Sequence, residues 1–456
     1  MYQIRDKNTK VKLTHILVLS ILFSACAAKK FPQLSSNYHN YDFSASAKTG
    51  YTKVIPSDTY TDERGYGFEY GSSVKSVERR SNNALEDGFV TNDTPFLFSV
   101  KLPEGNYDVK VVLGDKEGTS DAAIRAESRR MMVNRIQTLQ GEVRALEFTV
   151  NLRDTIIKTN NSRVRIKPRE RDYYHWDNKL TLEFNGEAPK VAAIEITPSA
   201  SDVINVFLAG NSTVVDQASE PYAAWGQIIP ASFEARKIAV ANYAESGESL
   251  SSFISARRFE KMLSMMKKGD YAFVEFGHND MKQKGEGIGA FTSYKKDLKF
   301  FIDEVRKKGA TPVLVTSMQR RSFDKDGKIT ETLGDYPAAV RLTAKEENVA
   351  LIDLNAMSKT MYEAWGPDES IKAFVHFPAN TYPGQKTALA DNTHFTPFGA
   401  YQISKLIIRG IRENKLGLAK YLQPGVPDFD PAKPDAFDSF YWPDSPVKNT
   451  MKPDGN

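Results

Sequence analysis

The second half of the chain alternates short apolar runs with helix-like patterns, and this alternation limits the possible folds more than any other feature. The runs have the length of buried strands and cover residues 203–209, 238–243, 271–276, 312–316 and 350–354. Between them, apolar side chains recur at helical spacing from Phe291 to Val305, and Thr396 followed by Pro397 marks the start of a last helix. Strands that alternate with helices predict a parallel sheet covered by helices on both faces, over residues 203–422.

Residues 41–199 have a different period. Apolar and polar side chains alternate there in short runs, which cover residues 96–102, 107–113, 145–152, 179–184 and 191–196. Turn residues separate the runs, for example in Pro103–Asn106 and in Asn185-Gly186. A period of two with regularly spaced turns predicts an all-β sandwich.

The composition excludes several classes of function. Of the 456 residues, 41% are hydrophobic and 26% are charged, which is typical of a chain that folds into globular domains. The formal net charge of +4 comes with no basic stripe or nucleic-acid-binding motif, so no nucleic-acid partner is expected. The single cysteine excludes an intramolecular disulfide, a cysteine-based zinc site and an iron–sulfur cluster.

The first 25 residues are expected to be a targeting signal rather than part of the fold. A positively charged start is followed by the apolar run Ile16–Phe23, which is too short to span a bilayer as a stable helix. The stretch from Leu22 to Cys26 resembles a bacterial lipoprotein lipobox, which implies cleavage before Cys26 and attachment of lipid to its thiol. A plain secretory signal with an incidental cysteine is the alternative.

The segments that flank the two predicted domains carry little pattern. Residues 26–40 are interpreted as a linker, and no segment of the chain reaches the 18 consecutive apolar residues of a membrane-spanning helix. Residues 423–456 are rich in proline, aspartate and aromatic side chains. We interpret them as an extended tail that packs on the surface or is partly disordered at its last few residues.

Polar motifs follow the predicted strands or precede the last helix, where an α/β domain binds its ligands. Taken singly, each motif is as typical of a turn or a helix cap as of a catalytic site. The four in this order, each at a strand end or helix start, are much harder to explain as turns alone. The motifs are Gly210–Thr213, Asn242–Ser249, Gly277–Asp280 and Asp391–His394.

The residue types in these motifs are those of a serine hydrolase. Ser212 needs a base to take its proton, and His394 is the candidate base. Asp391 is expected to hold the imidazole in the correct tautomer and to stabilise its protonated form. An oxyanion would be bound by the backbone N–H groups of Ser212 and Gly247 and by the side-chain amide of Asn279.

This ordered set resembles the SGNH or GDSL-type hydrolase family, whose name-giving residues match Ser212, Gly247, Asn279 and His394. The resemblance implies a three-layer α/β fold with a flavodoxin-like parallel sheet. Its first motif departs from the family, since Asn211 stands where the family usually has aspartate. No Gly-x-Ser-x-Gly elbow is present, which argues against the α/β-hydrolase architecture.

Two finer resemblances extend this interpretation. The stretches 276–280 and 391–395, with Trp225–Gln227, are similar to rhamnogalacturonan acetylesterases and related carbohydrate esterases. Residues 102–111 resemble galactose-binding-like jelly-roll modules attached to carbohydrate enzymes, although a spacer sandwich without a sugar site is an equal alternative.

Together these features predict an exported bacterial lipoprotein, in the periplasm or outer membrane, that is attached to the membrane by lipid on Cys26. The expected activity is removal of acetyl groups from a plant cell-wall polysaccharide or its oligosaccharides, with rhamnogalacturonan first. Acetylated xylan or another acetylated carbohydrate is the alternative substrate. A non-catalytic glycan-binding lipoprotein is the alternative of another class. No metal or cofactor is expected, because no corresponding motif is present and the serine mechanism needs none.

Overall fold

The computed structural model describes residues 39–454. The predicted signal at residues 1–25, the lipid attachment at Cys26 and nearly all of the predicted linker therefore lie outside the described residues. Within the described part, no helix has both the length and the apolar character needed to cross a membrane.

The first half of the described chain forms two antiparallel sheets, with one parallel pair between β1 and β2. In the first sheet the order is β10-β7-β14-β1-β2, with β5 on β14 and β4 on β5; in the second it is β3-β6-β13-β8-β9. The strands are β1 His39–Asp42, β2 Thr52–Lys53, β3 Tyr66–Phe68, β4 Lys75–Glu78, β5 Gly88–Thr91, β6 Phe96–Lys101, β7 Gly105–Gly114, β8 Ser120–Ala126, β9 Arg130–Thr138, β10 Val143–Leu152, a small hairpin of β11 Ile156–Ile157 and β12 Ser162–Arg163, β13 Lys179–Ala188 and β14 Lys190–Pro198.

Alternating side chains of the two sheets share one core. Val109 and Val111 of β7 are fully buried, and they belong to the same apolar cluster as Phe96 and Phe98 of β6. This is the arrangement that the period of two predicts, because successive residues of a strand point to opposite faces. Strand β1 begins at His39, opposite Ile196, so the sheet starts two residues before the position that the sequence indicated.

The second half contains a five-stranded parallel sheet in the order β16-β15-β17-β18-β19, the strand order of flavodoxin-like folds. Its elements are β15 Ile204–Gly210, α1 Trp225–Ile228, β16 Ile238–Asn242, α2 Leu250–Ser255, α3 Arg258–Met265, β17 Tyr271–Glu275, α4 Lys295–Lys307, β18 Thr311–Val315, α5 Tyr336–Glu346, β19 Ala350–Ile352, α6 Leu354–Glu369, the antiparallel pair β20 Phe374–Phe377 and β21 Leu389–Phe395, and α7 Pro397–Glu413.

Helices cover both faces of this sheet, as predicted. On β15, Val206 and Leu208 face a core that is shared with α1, α6 and α7. Phe207 and Ala209 face the opposite core, which is shared with α2, α3, α4 and α5. The half is therefore a three-layer α/β structure, and the loops that follow β15, β16 and β17 lie at one edge of the sheet.

The chain from residue 423 to residue 454 contains no helix and no strand, and part of it is buried. Ser445 is 1% exposed, and its hydroxyl accepts a hydrogen bond from Arg125 of β8 over 2.6 Å. Its backbone N–H donates to Glu220, in the loop that follows β15, over 3.1 Å. The tail thus joins the sandwich to the α/β half.

Candidate active site

The loops after β15 and β16 are held together at the sheet edge. The side-chain oxygen of Asn211 accepts a hydrogen bond from the N–H of Thr213 over 3.1 Å, which closes a tight turn around Ser212. The carbonyl of Gly210 accepts a hydrogen bond from the N–H of Glu245 over 3.1 Å. These contacts bring the motif of Ser212 against the motif of Gly247.

Ser212, His394 and Asp391 form a continuous hydrogen-bonded chain. The Oγ of Ser212 lies 2.8 Å from Nε2 of His394, and Nδ1 of His394 lies 2.7 Å from Oδ2 of Asp391. All three residues are at most 3% exposed. Since a carboxylate only accepts, Nδ1 carries the proton, and Nε2 is left to accept the proton of the serine hydroxyl.

Asp391 is held in its ionised form. Burial alone would raise its pKa, but the hydrogen bond from the ring of His394 and those from two backbone N–H groups outweigh burial and lower the pKa to about 2. The backbone donors are Thr393, at 2.9 Å, and His394, at 3.1 Å, and both bind Oδ1. The other oxygen is therefore available to orient the imidazole.

The imidazole of His394 is also fixed from the side. Tyr222 packs edge-on against it, with ring centroids 5.9 Å apart and an interplanar angle of 88°. The N–H of Ala223 donates to the carbonyl of Phe395 over 2.9 Å, which ties the loop of Tyr222 to β21. Two residues after His394, the hydroxyl of Thr396 caps α7 by accepting from Gly399 over 3.3 Å.

The predicted oxyanion donors belong to neighbouring loops. Gly247 has a φ of +80°, a conformation that favours glycine. The amide of Asn279 is buried and donates one hydrogen to the carbonyl of Glu248 over 3.0 Å, directly after Gly247. This contact places the side chain of Asn279 at the loop that presents the Gly247 N–H, and it leaves the second amide hydrogen for another acceptor.

Asn211, the departure from the family motif, has a structural use that needs no charge. Its side-chain oxygen accepts from the N–H of Thr213 and lies 2.9 Å from the hydroxyl of the same residue. The same hydroxyl lies 3.0 Å from the buried carboxyl of Glu275. A negative charge at position 211 would face Glu275 across this hydroxyl, whereas the neutral amide avoids the repulsion.

Trp225, Gly226 and Gln227 support the turn from behind. The indole N–H of Trp225 donates to Glu275 over 2.7 Å. A Cβ on Gly226 would lie 2.1 Å from the carbonyl oxygen of Val214, so only glycine fits there. Burial raises the pKa of Glu275 to about 7, although the hydrogen bonds from Trp225 and Thr213 act to lower it. This motif therefore shapes the turn that carries Ser212.

Two adjacent arginines of the sandwich, which the sequence analysis did not single out, hold the loop after Ser212. Arg129 donates to the carbonyl of Tyr222 over 2.8 Å, and Arg130 pairs with Asp216 over 2.8 Å. Within that loop, the side-chain amide of Gln217 donates to the carbonyl of Ser212 over 2.8 Å. The sequence signal for this contact is the pair Arg129-Arg130, two charged side chains inside the predicted all-β region.

A second sandwich segment, which follows β12, reaches the loop of Gly247. Lys167 donates to the carbonyl of Ser246, and Arg169 donates to the same oxygen over 3.0 Å. Arg169 also pairs with Glu245 over 2.5 Å. The sequence signal is an alternation of basic residues from Arg163 to Arg171, which the sequence analysis did not use.

A pocket of about 80 Å³ lies beside the triad, with room for a few groups the size of water. Gln217 and Tyr222 form the wall next to the triad, and Arg169 of the sandwich segment forms another part of the lining. Lys452 of the tail also lines the pocket, and its Nζ lies 3.8 Å from Oδ2 of Asp391. Three parts of the chain therefore build the space next to the triad.

One buried cluster has the donor types of a metal site. One ligand atom each from Glu170, His175 and Glu245 lies within 4.8 Å of the others. Arginines already neutralise both carboxylates, because Arg258 pairs with Glu170 and Arg169 pairs with Glu245. Burial and the nearby arginines lower the pKa of His175 well below its usual value. We assign this cluster to a charge-compensated ion network rather than to a metal centre.

The other two histidines of the α/β half lie near the triad but outside it. Burial lowers the pKa of His278 well below its usual value, with Arg320 as the next contributor, and the ring is therefore neutral. Nε2 of His376 lies 2.9 Å from the side-chain oxygen of Asn392, the residue after Asp391.

Comparisons with known proteins match both halves. Residues 208–401 match the model of the GDSL-like lipase/acylhydrolase family. Residues 39–158 match the beta-agarase/YXIM esterase-like, galactose-binding domain-like family.

Three similar proteins of Bacillus subtilis (strain 168) span one or both halves. Rhamnogalacturonan acetylesterase RhgT is 43% identical over 221 residues, which are 48% of this chain and 94% of RhgT. The probable rhamnogalacturonan acetylesterase YesY is 35% identical over 219 residues, 47% of this chain and 96% of YesY. The uncharacterized esterase YxiM is 27% identical over 349 residues, 74% of this chain and 84% of YxiM. The crystal structure of YxiM covers 84% of this chain and 99% of its own, at 24% identity and a TM-score of 0.44.

Proposed function

The chain belongs to the GDSL-like lipase/acylhydrolase family, whose members are carboxylic ester hydrolases, and on that premise we propose that it removes acetyl groups from rhamnogalacturonan. The observation that carries this proposal is the hydrogen-bonded chain from Ser212 through His394 to Asp391. A serine next to a correctly oriented imidazole is an activated nucleophile, and an ester is the bond that such a nucleophile cleaves in this family.

The geometry supports the following first step. Ser212 transfers its proton to Nε2 of His394 as its Oγ attacks the carbonyl carbon of the acetyl ester. The tetrahedral oxyanion is bound by the N–H groups of Ser212 and Gly247 and by the amide of Asn279. The ionised Asp391 stabilises the imidazolium that forms.

The second step releases acetate. His394 gives its proton to the departing sugar oxygen, and the C–O bond to the sugar breaks while the acetyl group stays on Ser212. A water molecule then enters, His394 takes one of its protons, and the resulting hydroxyl attacks the acetyl carbon. Acetate leaves and Ser212 regains its proton from His394.

The size of the pocket and the relatives support the choice of substrate. The pocket of about 80 Å³ beside the triad has room for a group as small as acetyl. The relative that is 43% identical to this chain, RhgT, is named as a rhamnogalacturonan acetylesterase, and YesY, which is 35% identical, is named as a probable one. Rhamnogalacturonan is therefore the first substrate to test, and acetylated xylan is the comparison.

The test is release of acetate from acetylated rhamnogalacturonan and acetylated xylan by the wild-type protein and by Ser212→Ala. We expect faster release from rhamnogalacturonan and loss of activity in the variant. Ser264→Ala, on α3, is the matched control and should keep wild-type activity. Equal rates for wild type and Ser212→Ala would contradict the proposal, and preference for xylan would overturn the choice of substrate.

We also propose that the protein is exported and anchored by lipid on Cys26, on the strength of the leader and lipobox pattern. The test is the distribution of protein between membrane and soluble fractions of the expressing cell. The wild type should partition with membranes and Cys26→Ser should not. Equal partitioning of the two proteins would contradict lipid attachment at this residue.

A further inference from the structure

A carboxylate of the tail lies over the loop of Gly247. Arg169 donates to the side chain of Asp454, and Nζ of Lys167 lies 3.9 Å from the same Oδ2. The Cβ of Asp454 is 2.8 Å from the position that a Cβ on Gly247 would take. The carboxylate of Asp454 thus lies against the loop that presents a predicted oxyanion donor.

The two cations are held in place by the protein itself. Arg169 is fixed by Glu245 at 2.5 Å and by the carbonyl of Ser246 at 3.0 Å. Lys167 donates to the same carbonyl and lies 3.3 Å from Glu248. These contacts do not involve the tail, so the cationic pair would keep its position if Asp454 moved away.

Asp454 is the more exposed partner in this contact. Its side chain is 55% exposed, against 33% for Arg169 and 26% for Lys167. An exposed ion pair contributes little stability, since water competes for both charges. Another carboxylate of suitable shape can therefore replace that of Asp454 at small cost.

The charge of the pocket points to the same class of ligand. Among the described residues that line it, Asp454 has the sole carboxylate side chain, whereas Arg169 and Lys452 are cations. Displacement of Asp454 would leave Arg169 and Lys452 as the charged side chains of the lining, each of which also contacts a carboxylate outside it, Glu245 and Asp391 respectively. Such a lining favours a sugar that carries a carboxylate over a neutral sugar.

We propose that Lys167 and Arg169 form a carboxylate subsite for a uronic acid residue of the acetylated polysaccharide, and that Asp454 occupies this subsite until substrate displaces it. The proposal rests on the esterase function proposed above and adds the residues that select an acidic chain. Both cations come from the sandwich half, so that half contributes to specificity and does not act only as a spacer.

Equilibrium binding tests the subsite independently of catalysis. Free galacturonic acid, with galactose as the neutral probe, is titrated into the Ser212→Ala protein and into Ser212→Ala combined with Arg169→Gln. Galacturonic acid should bind more tightly than galactose, and the added Arg169→Gln should weaken its binding by about tenfold, the effect of losing one charge-assisted hydrogen bond. Arg171→Gln, exposed on the same turn, is the control.

Equal binding of the two sugars would overturn the subsite while leaving the esterase function intact. Conversely, a preference for galacturonic acid by a protein that releases no acetate would overturn the esterase function alone. Circular dichroism of each variant shows whether its fold is retained.

The role of Asp454 is tested by kinetics on the otherwise unchanged protein. In Asp454→Asn the competing carboxylate is removed, so KM for acetylated rhamnogalacturonan should fall about three- to tenfold. Asp444→Asn is the matched control, because Asp444 is a tail carboxylate that pairs with Lys448 of the same tail at 2.9 Å. An unchanged KM in Asp454→Asn, or the same fall in Asp444→Asn, would overturn the claim of competition.

A comparison of two substrates shows whether Arg169 selects acidic substrates or only positions the loop of Gly247. In Arg169→Gln the value of kcat/KM for acetylated rhamnogalacturonan should fall about tenfold more than the value for 4-nitrophenyl acetate, which carries no carboxylate. Equal losses on both substrates would show that Arg169 acts only by positioning the loop of Gly247.

Discussion

At the scale of single residues, the site contains one buried carboxyl group that stays ionised, Asp391, and one whose pKa burial raises, Glu275. Asp391 stays ionised inside the protein because three hydrogen bonds compensate its burial. Glu275, behind the turn of Ser212, is contacted by the uncharged side chains of Trp225 and Thr213 and is the opposite case, since burial raises its pKa to about 7. That Ser212 and His394 lie side by side could be predicted from sequence, because short motifs next to a strand end and a helix start carry them.

Asp391→Asn should lower kcat while leaving KM nearly unchanged. The amide offers Nδ1 of His394 either a donor or an uncharged acceptor, so the wrong tautomer is favoured and the imidazolium loses its counter-charge. We expect a fall of about 10³- to 10⁴-fold in kcat for 4-nitrophenyl acetate. Asp326→Asn, in an exposed turn, is the control. A loss smaller than tenfold would contradict the assigned role of Asp391.

Glu275→Gln should change how stability depends on pH. The carboxyl has an ordinary pKa of 4.5 and a raised pKa of about 7 in the folded protein, so the folded state holds the proton more tightly. Its stabilising contribution is present below pH 4.5 and is lost as the pH rises to about 7, by an amount on the order of 3 kcal/mol. The Glu275→Gln protein should not lose stability in this way as the pH rises.

The measurement is the free energy of unfolding in urea at pH 5 and pH 8. Wild type should lose more stability than Glu275→Gln between the two values, and the exposed Glu63→Gln should behave as wild type. An identical pH dependence in all three proteins would show that Glu275 keeps an ordinary pKa.

At the scale of elements, sequence patterns predicted strands well where side chains alternate between apolar and polar. The predicted runs 96–102 and 107–113 became β6 and β7 with shifts of at most two residues. The pattern did not reveal β8 and β9, because their buried positions include Arg125 and Arg130. Ion pairs with distant residues permit that burial, and no local pattern encodes such partners.

Arg130→Met tests the buried pair that secures β9 to the loop after Ser212. The substitution leaves the carboxylate of Asp216 buried without its cation, which should destabilise the protein by about 3–5 kcal/mol in urea unfolding. Adding Asp216→Asn should recover part of this loss, since the uncompensated charge is removed. Arg144→Met is the control, because its pair with Glu142 is half exposed and should contribute less than about 1 kcal/mol. A small effect of Arg130→Met, matching that of Arg144→Met, would refute the importance of this pair.

At the scale of the whole molecule, the two halves act as one structure around the site. The indole N–H of Trp442, in the tail, donates to Glu220 over 2.9 Å. The guanidinium carbon of Arg125, in the sandwich, lies 3.7 Å from the centroid of the same indole ring. Arg129 pairs with the same glutamate. Sequence indicated two domains and a tail, but contacts between segments more than 200 residues apart could not be predicted, because they depend on the folded arrangement.

We therefore expect the described halves to unfold together. Separating them would expose Met131 of β9, which is buried in one apolar cluster with α1 and α7, and would break the contacts of Arg129 and Arg130 with the loop after β15. Urea unfolding followed by far-ultraviolet circular dichroism and by tryptophan fluorescence should give coincident transitions. Two separated transitions would show that the halves are energetically independent.

If Ser212 carries the acetyl group during hydrolysis, the acylated enzyme can be detected directly. The protein is mixed with acetylated rhamnogalacturonan, quenched in acid within the first turnovers, digested and analysed by mass spectrometry. We expect one acetyl group on the peptide that contains Ser212, and none on that peptide in Ser212→Ala. Acetate release without acetyl-Ser212, or with the acetyl group on another residue, would contradict this expectation.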